Sequence, residues 1–365
     1  MTVSVEAVRE CLRGVVDPWT GRDHVSARAL REVRVDGGAV HLTLELGYPC
    51  LGAHDALREQ VVAAVSALGG VERVTADLSV RIVAHQALRG AQRVEGVRNI
   101  VAVASGKGGV GKSTVAANLA LAMALEGARV GVLDADIYGP SQPAMLGMAG
   151  KPRVEGEGDR RKFLPLENHG VQGISIGMLI DPDQAVAWRG PMATGALEQL
   201  LRDTRWNDLD YLLVDMPPGT GDIQLTLAQK VPVTGAVIVT TPQDIALLDA
   251  RKGLRMFEKV NVPILGIVEN MSLHVCPRCG HEQHLFGEGG GEAMARTHGV
   301  PLLASLPLDI RIRENADAGT PTVAADPDGT LAGLYRDLAR RVGARVAEQA
   351  RDTSSVFPRI VVQDS

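Results

Sequence analysis

The sequence predicts an α/β chain in which a doubly wound, mostly parallel sheet is preceded by a small α+β domain. Three features point that way. From residue 99 onward, short apolar runs end repeatedly in loops rich in Gly, Pro or Asp, with helical segments between them. Hydrophobic residues make up 45% of the chain and aromatic ones only 3%, so Val, Leu, Ile and Ala must fill the core. That palette suits a parallel sheet covered by helices. Before residue 84, strand-like runs instead alternate apolar and polar residues, as half-exposed strands do. A length of 365 residues accommodates one large domain and one small one.

Residues 3–14 have the spacing of a short helix. Residues 31–46 alternate around Asp36-Gly37-Gly38, a hairpin signal. Helical spacing returns over 53–68 and alternation over 71–83, completing an α-β-β-α-β unit across 1–83. Residues 84–98 are polar and weakly patterned, a linker with room for a short helix. The large domain spans 99–349, with expected strands at 100–104, 130–133, 211–214, 236–240, 264–268 and 302–306. A doubly wound sheet binds its ligand at the carboxyl ends of such strands. Residues 326–349 read as a closing amphipathic helix with Leu331, Leu334, Leu338 and Val342 as its apolar face, and 350–365 as a tail.

A formal net charge of −5 gives no global field towards nucleic acid. Charges interrupt the N-terminus early, unlike a secretory leader. The longest apolar run, 115–125, is shorter than the roughly 20 residues of a membrane span. A cytoplasmic protein with no nucleic-acid or membrane partner is expected. Its four cysteines are Cys11, Cys50, Cys276 and Cys279, too few for a disulfide framework in a chain this long. In a reducing compartment a close pair reads as metal-binding or redox-active.

The chemistry centres on Gly106-Lys107-Gly108-Gly109-Val110-Gly111-Lys112-Ser113-Thr114, which matches G-x-x-x-x-G-K-[ST] between an apolar strand and a helical pattern. Glycines let backbone N–H groups wrap phosphates without Cβ clashes, and the following helix adds its dipole. Lys112 should reach the β- and γ-phosphates, Ser113 should place its hydroxyl on Mg²⁺, and Thr114 should contact the α-phosphate. Asp134 and Asp136 end one sheet strand. Asp215 ends another, at the position that holds Mg²⁺ or its water. Pro217-Pro218-Gly219-Thr220-Gly221-Asp222 forms a stiff loop with glycine joints, able to switch when a γ-phosphate leaves. These residues read as a nucleotide hydrolase. No Asn-Lys-x-Asp guanine signature follows strand 264–268, which favours ATP over GTP.

Lys107 makes the loop G-K-G-G-V-G-K-S-T, which resembles the deviant Walker A ATPases of division-site selection, plasmid partitioning, tail-anchor targeting and the nitrogenase iron protein. The resemblance implies a nucleotide-sandwich homodimer in which Lys107 reaches the partner's nucleotide. A second cation there would stabilise charge in the transition state, as an arginine finger does. It also implies that Asp136 orients or activates the attacking water, that Asp134 helps order the metal shell, and that Asn270 reads adenine through its amide.

Cys276-Pro277-Arg278-Cys279 brings two thiolates within reach of one metal, whereas Zn²⁺ or a [4Fe–4S] cluster takes four ligands. The chain has no second Cys-x-x-Cys, and a two-fold dimer would supply the missing pair. The cysteines alone do not separate zinc from iron–sulfur. Around them stand Gly266-Ile267-Val268-Glu269-Asn270-Met271-Ser272, Leu285-Phe286-Gly287-Glu288-Gly289-Gly290-Gly291 and Leu306-Pro307-Leu308-Asp309. With Asp134-Ala135-Asp136-Ile137-Tyr138-Gly139-Pro140-Ser141-Gln142-Pro143 and Trp188-Arg189-Gly190-Pro191-Met192, these resemble the Mrp/ApbC iron–sulfur cluster carrier ATPases over about residues 98–340. The resemblance implies a [4Fe–4S] cluster held between subunits by Cys276 and Cys279 and passed to apo iron–sulfur proteins.

Val16-Asp17-Pro18 and the α-β-β-α-β order resemble the PaaD-like domain fused ahead of bacterial Mrp proteins. Trp19 stands where relatives often have Glu, and that domain's Cys-Pro appears inverted as Pro49-Cys50. Cys50 reads plainly as a half-buried cysteine after a strand, and Cys11 as core. Two rival functions remain at this stage. A membrane- or DNA-positioning ATPase would use a basic C-terminal helix with Arg336, Arg340, Arg341 and Arg345. A zinc-bridged targeting ATPase would bind a hydrophobic client, although the sequence has no long Met-rich helical insert for one.

Overall fold

The computed structural model describes residues 3–86, 92–158, 161–179 and 190–349. Residues 87–91 of the expected linker, Trp188 and Arg189 of the quoted motif, and the expected tail 350–365 lie outside the described residues.

The first unit has the expected order. Helix α1 (Val5–Arg13) starts at Ser4, whose hydroxyl accepts from the Ala7 amide at 3.2 Å as a cap. Strands β1 (Leu30–Asp36) and β2 (Ala39–Leu46) form the hairpin, and Gly37 turns it at φ +58°, a left-handed conformation that suits glycine. Helix α2 (His54–Ser66) crosses to β3 (Arg73–Val80), which lies parallel to β2, giving a sheet of order β1-β2-β3. Val8, Leu12, Leu42, Leu44, Val61 and Val65 form its core.

The second unit begins with β4 (Val97–Ser105), so the last two residues assigned to the linker are strand. No helix occupies the described part of 84–98. There follow α3 (Lys112–Leu125), β5 (Val130–Asp134), α4 (Gln142–Met145), the ribbon strands β6 (Val154–Glu155) and β7 (Lys162–Phe163), then β8 (Leu166–Asn168) and β9 (Val171–Ser175). Next come α5 (Gly190–Asp203), β10 (Leu209–Asp215), α6 (Asp222–Lys230), β11 (Gly235–Thr240), α7 (Asp244–Lys259) and β12 (Ile264–Glu269). A second ribbon, β13 (His274–Val275) with β14 (Glu282–Gln283), precedes α8 (Gly290–His298), β15 (Leu302–Ser305), α9 (Ile310–Asp317), α10 (Thr322–Ala325) and α11 (Thr330–Ala347).

The large sheet has the order β15-β12-β11-β4-β10-β5-β9-β8 and is parallel except for β8, which runs antiparallel to β9. All six expected strands are present, and β8 and β9 are additional. Gln172 and Gly173 interrupt the apolar signal of β9, although the strand is buried throughout. The end of the Met148 side chain packs over Gly173, where a Cβ would meet its Sδ at 2.4 Å.

Helix α11 docks by a face rotated from the expected one. Ala332, Tyr335, Leu338, Ala339, Val342 and Val346 are buried, whereas Leu334 is exposed. Its arginines are engaged within the chain. Arg336 and Arg340 bond Glu126, Arg341 bonds Asp337, and Arg345 bonds Glu348. Among the described residues no helix is long and apolar enough to cross a membrane.

The small unit packs on α11 and on the end of α3. Tyr48, Cys50, Ala53 and Leu57 form a core cluster with Ala344. The Glu126 carboxylate, wholly buried, accepts from Arg336 Nε at 2.7 Å, Arg340 Nη2 at 2.6 Å and the Gly52 amide at 3.0 Å. Trp19 Nε1 donates to Asp337 Oδ1 at 2.7 Å, and the Arg340 guanidinium stands 4.9 Å from its ring centroid. Cys50 is fully buried rather than half-buried, and burial pushes its thiol up to about 12. Cys11 is only half-buried, with Sγ donating to Ala64 O at 3.4 Å.

Candidate functional site

The phosphate loop joins the end of β4 to α3 at the carboxyl edge of the sheet. Gly106 is pressed against α7, where a Cβ would lie 2.1 Å from the Asp249 carbonyl carbon. Gly109 (φ +82°) and Gly111 (φ +79°) take left-handed conformations, and Gly108 and Gly109 border open space. No side chain crowds the Cα side of these two glycines, which leaves room for an anion to approach the loop. A cleft of about 210 Å³ opens there, lined by Lys107, Gly108, Lys112, Ser113, Thr114, Asp136, Ser141 and Pro218 among others.

Lys112 is 6% exposed and donates to Ser113 Oγ at 3.1 Å and to Asp215 Oδ1, its ion-pair partner. Asp215 is fully buried at the end of β10. Its Oδ2 accepts from Gln142 Nε2 at 2.8 Å, and the same nitrogen donates to Ser113 O at 2.9 Å. Lys107 is half-buried, and among the described residues it has no ion-pair partner within 4 Å.

Asp134 holds the loop that follows β5. Its Oδ1 accepts from the Asp136 amide at 3.1 Å. Its Oδ2 accepts from the Ser141 and Gln142 amides at 2.9 and 3.1 Å and from Ser175 Oγ at 3.1 Å. Burial, and then the nearby Asp215 charge, raise its pKa, and the backbone donors oppose that rise. With four chain donors on its oxygens, Asp134 acts on the cleft through Ser141 and Gln142. Asp136 faces the cleft itself, is 8% exposed, and accepts from the Gly139 amide at 3.2 Å. Burial raises its pKa, and Lys112 partly offsets this.

Asn270 packs under the phosphate loop. It is buried beneath the loop and outside the cleft lining, with Nδ2 donating to Val110 O at 2.9 Å. A Cβ on Gly111 would meet that nitrogen at 2.3 Å. The Nδ2 group is engaged by the loop and supports it from beneath.

Beyond Asn270 the chain runs into the ribbon β13–β14, and Cys276 to Gly280 form its tip. The Cys276 amide donates to His281 O and the Gly280 amide to Cys276 O, both at 2.9 Å, with Gly280 at φ +71° closing the turn. Backbone N–H groups of Arg278 and Cys279 aim at the Cys276 sulfur and lower its pKa, favouring thiolate. Cys276 is half-buried and Cys279 exposed, and neither is in a disulfide. Two histidines anchor the ribbon. His274 Nδ1 donates to Leu308 O at 3.0 Å and His284 Nδ1 to Ser272 O at 2.9 Å, carbonyls that can only accept. Among the described residues no three or more His, Cys, Asp or Glu side chains converge as a metal site. The described residues of one chain thus offer the cysteine pair alone.

Lys107, Lys112, Ser113, Thr114 and Asp136 meet in the cleft with Asp215 behind them, and Cys276 and Cys279 lie apart on the ribbon. Gln142 and Ser141 are additional polar residues with no general motif to mark them. Ser141 Oγ and Gln142 Oε1 are buried without a partner. Such orphaned acceptors beside Ser113 and Asp215 fit the hydration shell of a hard cation such as Mg²⁺.

A family model described as the NUBPL iron-transfer P-loop NTPase matches residues 96–343, and one described as an iron-sulfur cluster assembly protein matches residues 5–78. The iron-sulfur cluster carrier protein of Pseudomonas fragi is 60% identical over 278 residues, covering 76% of this chain and 96% of its own length. That of Escherichia coli (strain K12) is 48% identical over 347 residues, 94% of each chain. Among solved structures, a nucleotide-binding protein in complex with ADP from Archaeoglobus fulgidus aligns with a TM-score of 0.55 at 39% identity, covering 62% of this chain and 88% of that one. The large sheet, the phosphate loop and the cysteine ribbon all fall within the first of these matches, and the chain belongs to the iron-transfer P-loop NTPase family that includes the Mrp/ApbC iron–sulfur cluster carriers.

Proposed function

We propose that the chain is an ATP-hydrolysing iron–sulfur cluster carrier of the cytoplasm. It would act as a homodimer that holds a [4Fe–4S] cluster between two cysteine pairs and hands it to apo iron–sulfur proteins. One observation carries this reading: a thiolate-favouring, accessible Cys-x-x-Cys tip, rigidly anchored, on the segment that also supports the phosphate loop. Cys276 is six positions after Asn270, so their Cα atoms are at most about 22 Å apart at full extension. Nucleotide and cluster are therefore served by one short stretch of chain.

In this mechanism the loop amides and the ammonium of Lys112 bind and orient the phosphates of ATP. Lys112 exchanges Asp215 for phosphate oxygen, and Lys107, which lines the cleft and has no ion partner among the described residues, extends to the nucleotide of the second copy. Ser113 and Asp215 would hold Mg²⁺, which neutralises phosphate charge. Asp136 orients the attacking water by accepting its hydrogen bond. The loop support from Asn270 keeps Val110 and Gly111 in place as the phosphates change. Engagement of the α11 arginines by Glu126, Asp337 and Glu348 gives the positioning-ATPase reading no basic face there.

Asp136 supplies a pH prediction. Its carboxylate must be ionised to accept from water, and burial raises its pKa. Turnover of ATP should therefore fall on acidification at a higher pH than an ordinary carboxylate would give. In Asp136→Asn that limb should vanish along with most of the rate. A wild-type acid limb at the ordinary carboxylate position, or one retained in Asp136→Asn, would remove Asp136 from the role.

Anaerobic reconstitution with iron and sulfide tests the carrier function. The wild type should develop a broad visible band and bind about four irons per dimer. Cys276→Ala and Cys279→Ala should each lose both, with unchanged MgADP binding. Iron uptake that survives both substitutions would end this proposal. Uptake of zinc alone would replace it with the zinc-bridged targeting ATPase.

A further inference from the structure

Gln142 is a buried amide whose bonds join three elements of the nucleotide site. It opens α4 and is 3% exposed. Its backbone amide is held by Asp134, and its Nε2 donates to Ser113 O in the first turn of α3 and to Asp215 Oδ2 at the end of β10. A carbonyl and a carboxylate both accept, so the amide nitrogen must face them and the orientation of the side chain is fixed by chemistry. Asp215 is thus gripped from two sides, by the Lys112 ammonium on Oδ1 and the Gln142 amide on Oδ2.

The two grips are not equivalent. Lys112 can serve either Asp215 or a phosphate, because both are anions competing for one ammonium. Gln142 is neutral and has no reason to leave Asp215 when an anion arrives. We propose that Gln142 is a positioning residue for hydrolysis: it fixes the rotamer of Asp215 and ties it to α3 and to the loop carrying Asp136 while Lys112 turns to the phosphates. This rests on the nucleotide-hydrolase reading of the cleft. A residue that only filled space between α3 and β10 would be better apolar, since Oε1 of Gln142 is buried with no partner and such an acceptor is unfavourable.

Two full-length variants separate positioning from packing. Gln142→Leu keeps the volume and removes the donor. Gln142→Glu keeps the shape and sets a second carboxylate against Asp215, so that it can donate only when protonated. We expect Gln142→Leu to lower kcat at saturating MgATP by about tenfold or more, the scale of a hydrogen bond to a charged group. KM should move less, and the loss should be the same across pH. For Gln142→Glu, activity relative to wild type should rise as pH falls, and its melting temperature should drop further below wild type as pH rises. Calorimetry with MgADP should show both variants still binding nucleotide.

Wild-type kcat in Gln142→Leu would overturn the proposal, as would a ratio of Gln142→Glu to wild type that is flat with pH. If Gln142→Leu proves unfolded, the pH ratio of Gln142→Glu still decides. Lys112→Ala is run alongside. If it is inactive while Gln142→Leu is unimpaired, this proposal alone fails. If the wild type itself does not hydrolyse ATP, the hydrolase reading fails and takes the proposal with it.

Discussion

Lys112→Ala should abolish ATP hydrolysis and also destabilise the folded chain by about 3–5 kcal/mol, the usual effect of removing one member of a buried ion pair. The pair is buried on both sides, with Lys112 6% exposed and Asp215 at 0%. Truncation leaves the Asp215 carboxylate with Gln142 as its one remaining side-chain donor and no cation in contact. The two effects can be separated by a double-mutant cycle. Asp215→Asn alone strands the lysine. The double variant, Lys112→Ala with Asp215→Asn, removes both charges and should recover much of the stability while remaining inactive. Urea unfolding measures the first quantity and phosphate release the second. A coupling energy indistinguishable from zero would mean that the pair contributes nothing to the fold. Substantial hydrolysis by Lys112→Ala would mean that the phosphates are held by the loop amides alone.

The phosphate loop was fully visible in the sequence because its constraint is local: nine consecutive residues between a strand and a helix specify both shape and chemistry. The six expected strands were visible for a related reason, since each is a short apolar run closed by turn residues. Strand β9 was hidden because Gln172 and Gly173 break its apolar run, and its burial comes from tertiary packing, with Met148 lying over Gly173. The rotated face of α11 was hidden likewise. Ala332 and Ala339 belong to the core of the large unit and Ala344 to the cluster with Tyr48 and Leu57, placements that hydrophobic spacing alone does not record. In the site, residue type fixed what Asn270 could do but not where its amide would be used. A tertiary contact with Val110 decided that. Gln142 shows the converse: it lies in a segment that carries the family resemblance, but its role has no mark in the sequence until Ser113 and Asp215 are seen to converge on it.

Glu126→Ala should release the N-terminal unit from the NTPase unit, at a stability loss of about 3 kcal/mol. This is the lower end of the range for breaking a buried pair, because Arg336 and Arg340 are partly exposed and can reach water. Glu126 ends the helix that begins at Lys112, and it is the acceptor for Gly52 as well as for the two arginines. Its removal therefore leaves Arg340 and the Gly52 amide without this acceptor at a single seam, and leaves Arg336 only the exposed Asp328 at 3.8 Å. Cys50 lies under that seam and reports on it directly. Its thiol is held up to about 12, first by burial, then by the charges of Asp17 and Glu126, and so is unreactive while the seam is closed. In a background with Cys11, Cys276 and Cys279 replaced by Ser, the parent should react slowly with a thiol reagent. Glu126→Ala should react many times faster while still binding MgADP. Glu126→Gln keeps the shape and one acceptor for Gly52 but loses the charge, and should fall between them. Equal labelling rates in parent and Glu126→Ala would show that the apolar cluster of Tyr48, Leu57 and Ala344 holds the seam by itself. Faster labelling accompanied by loss of nucleotide binding would mean that the whole chain, and not the seam, had opened.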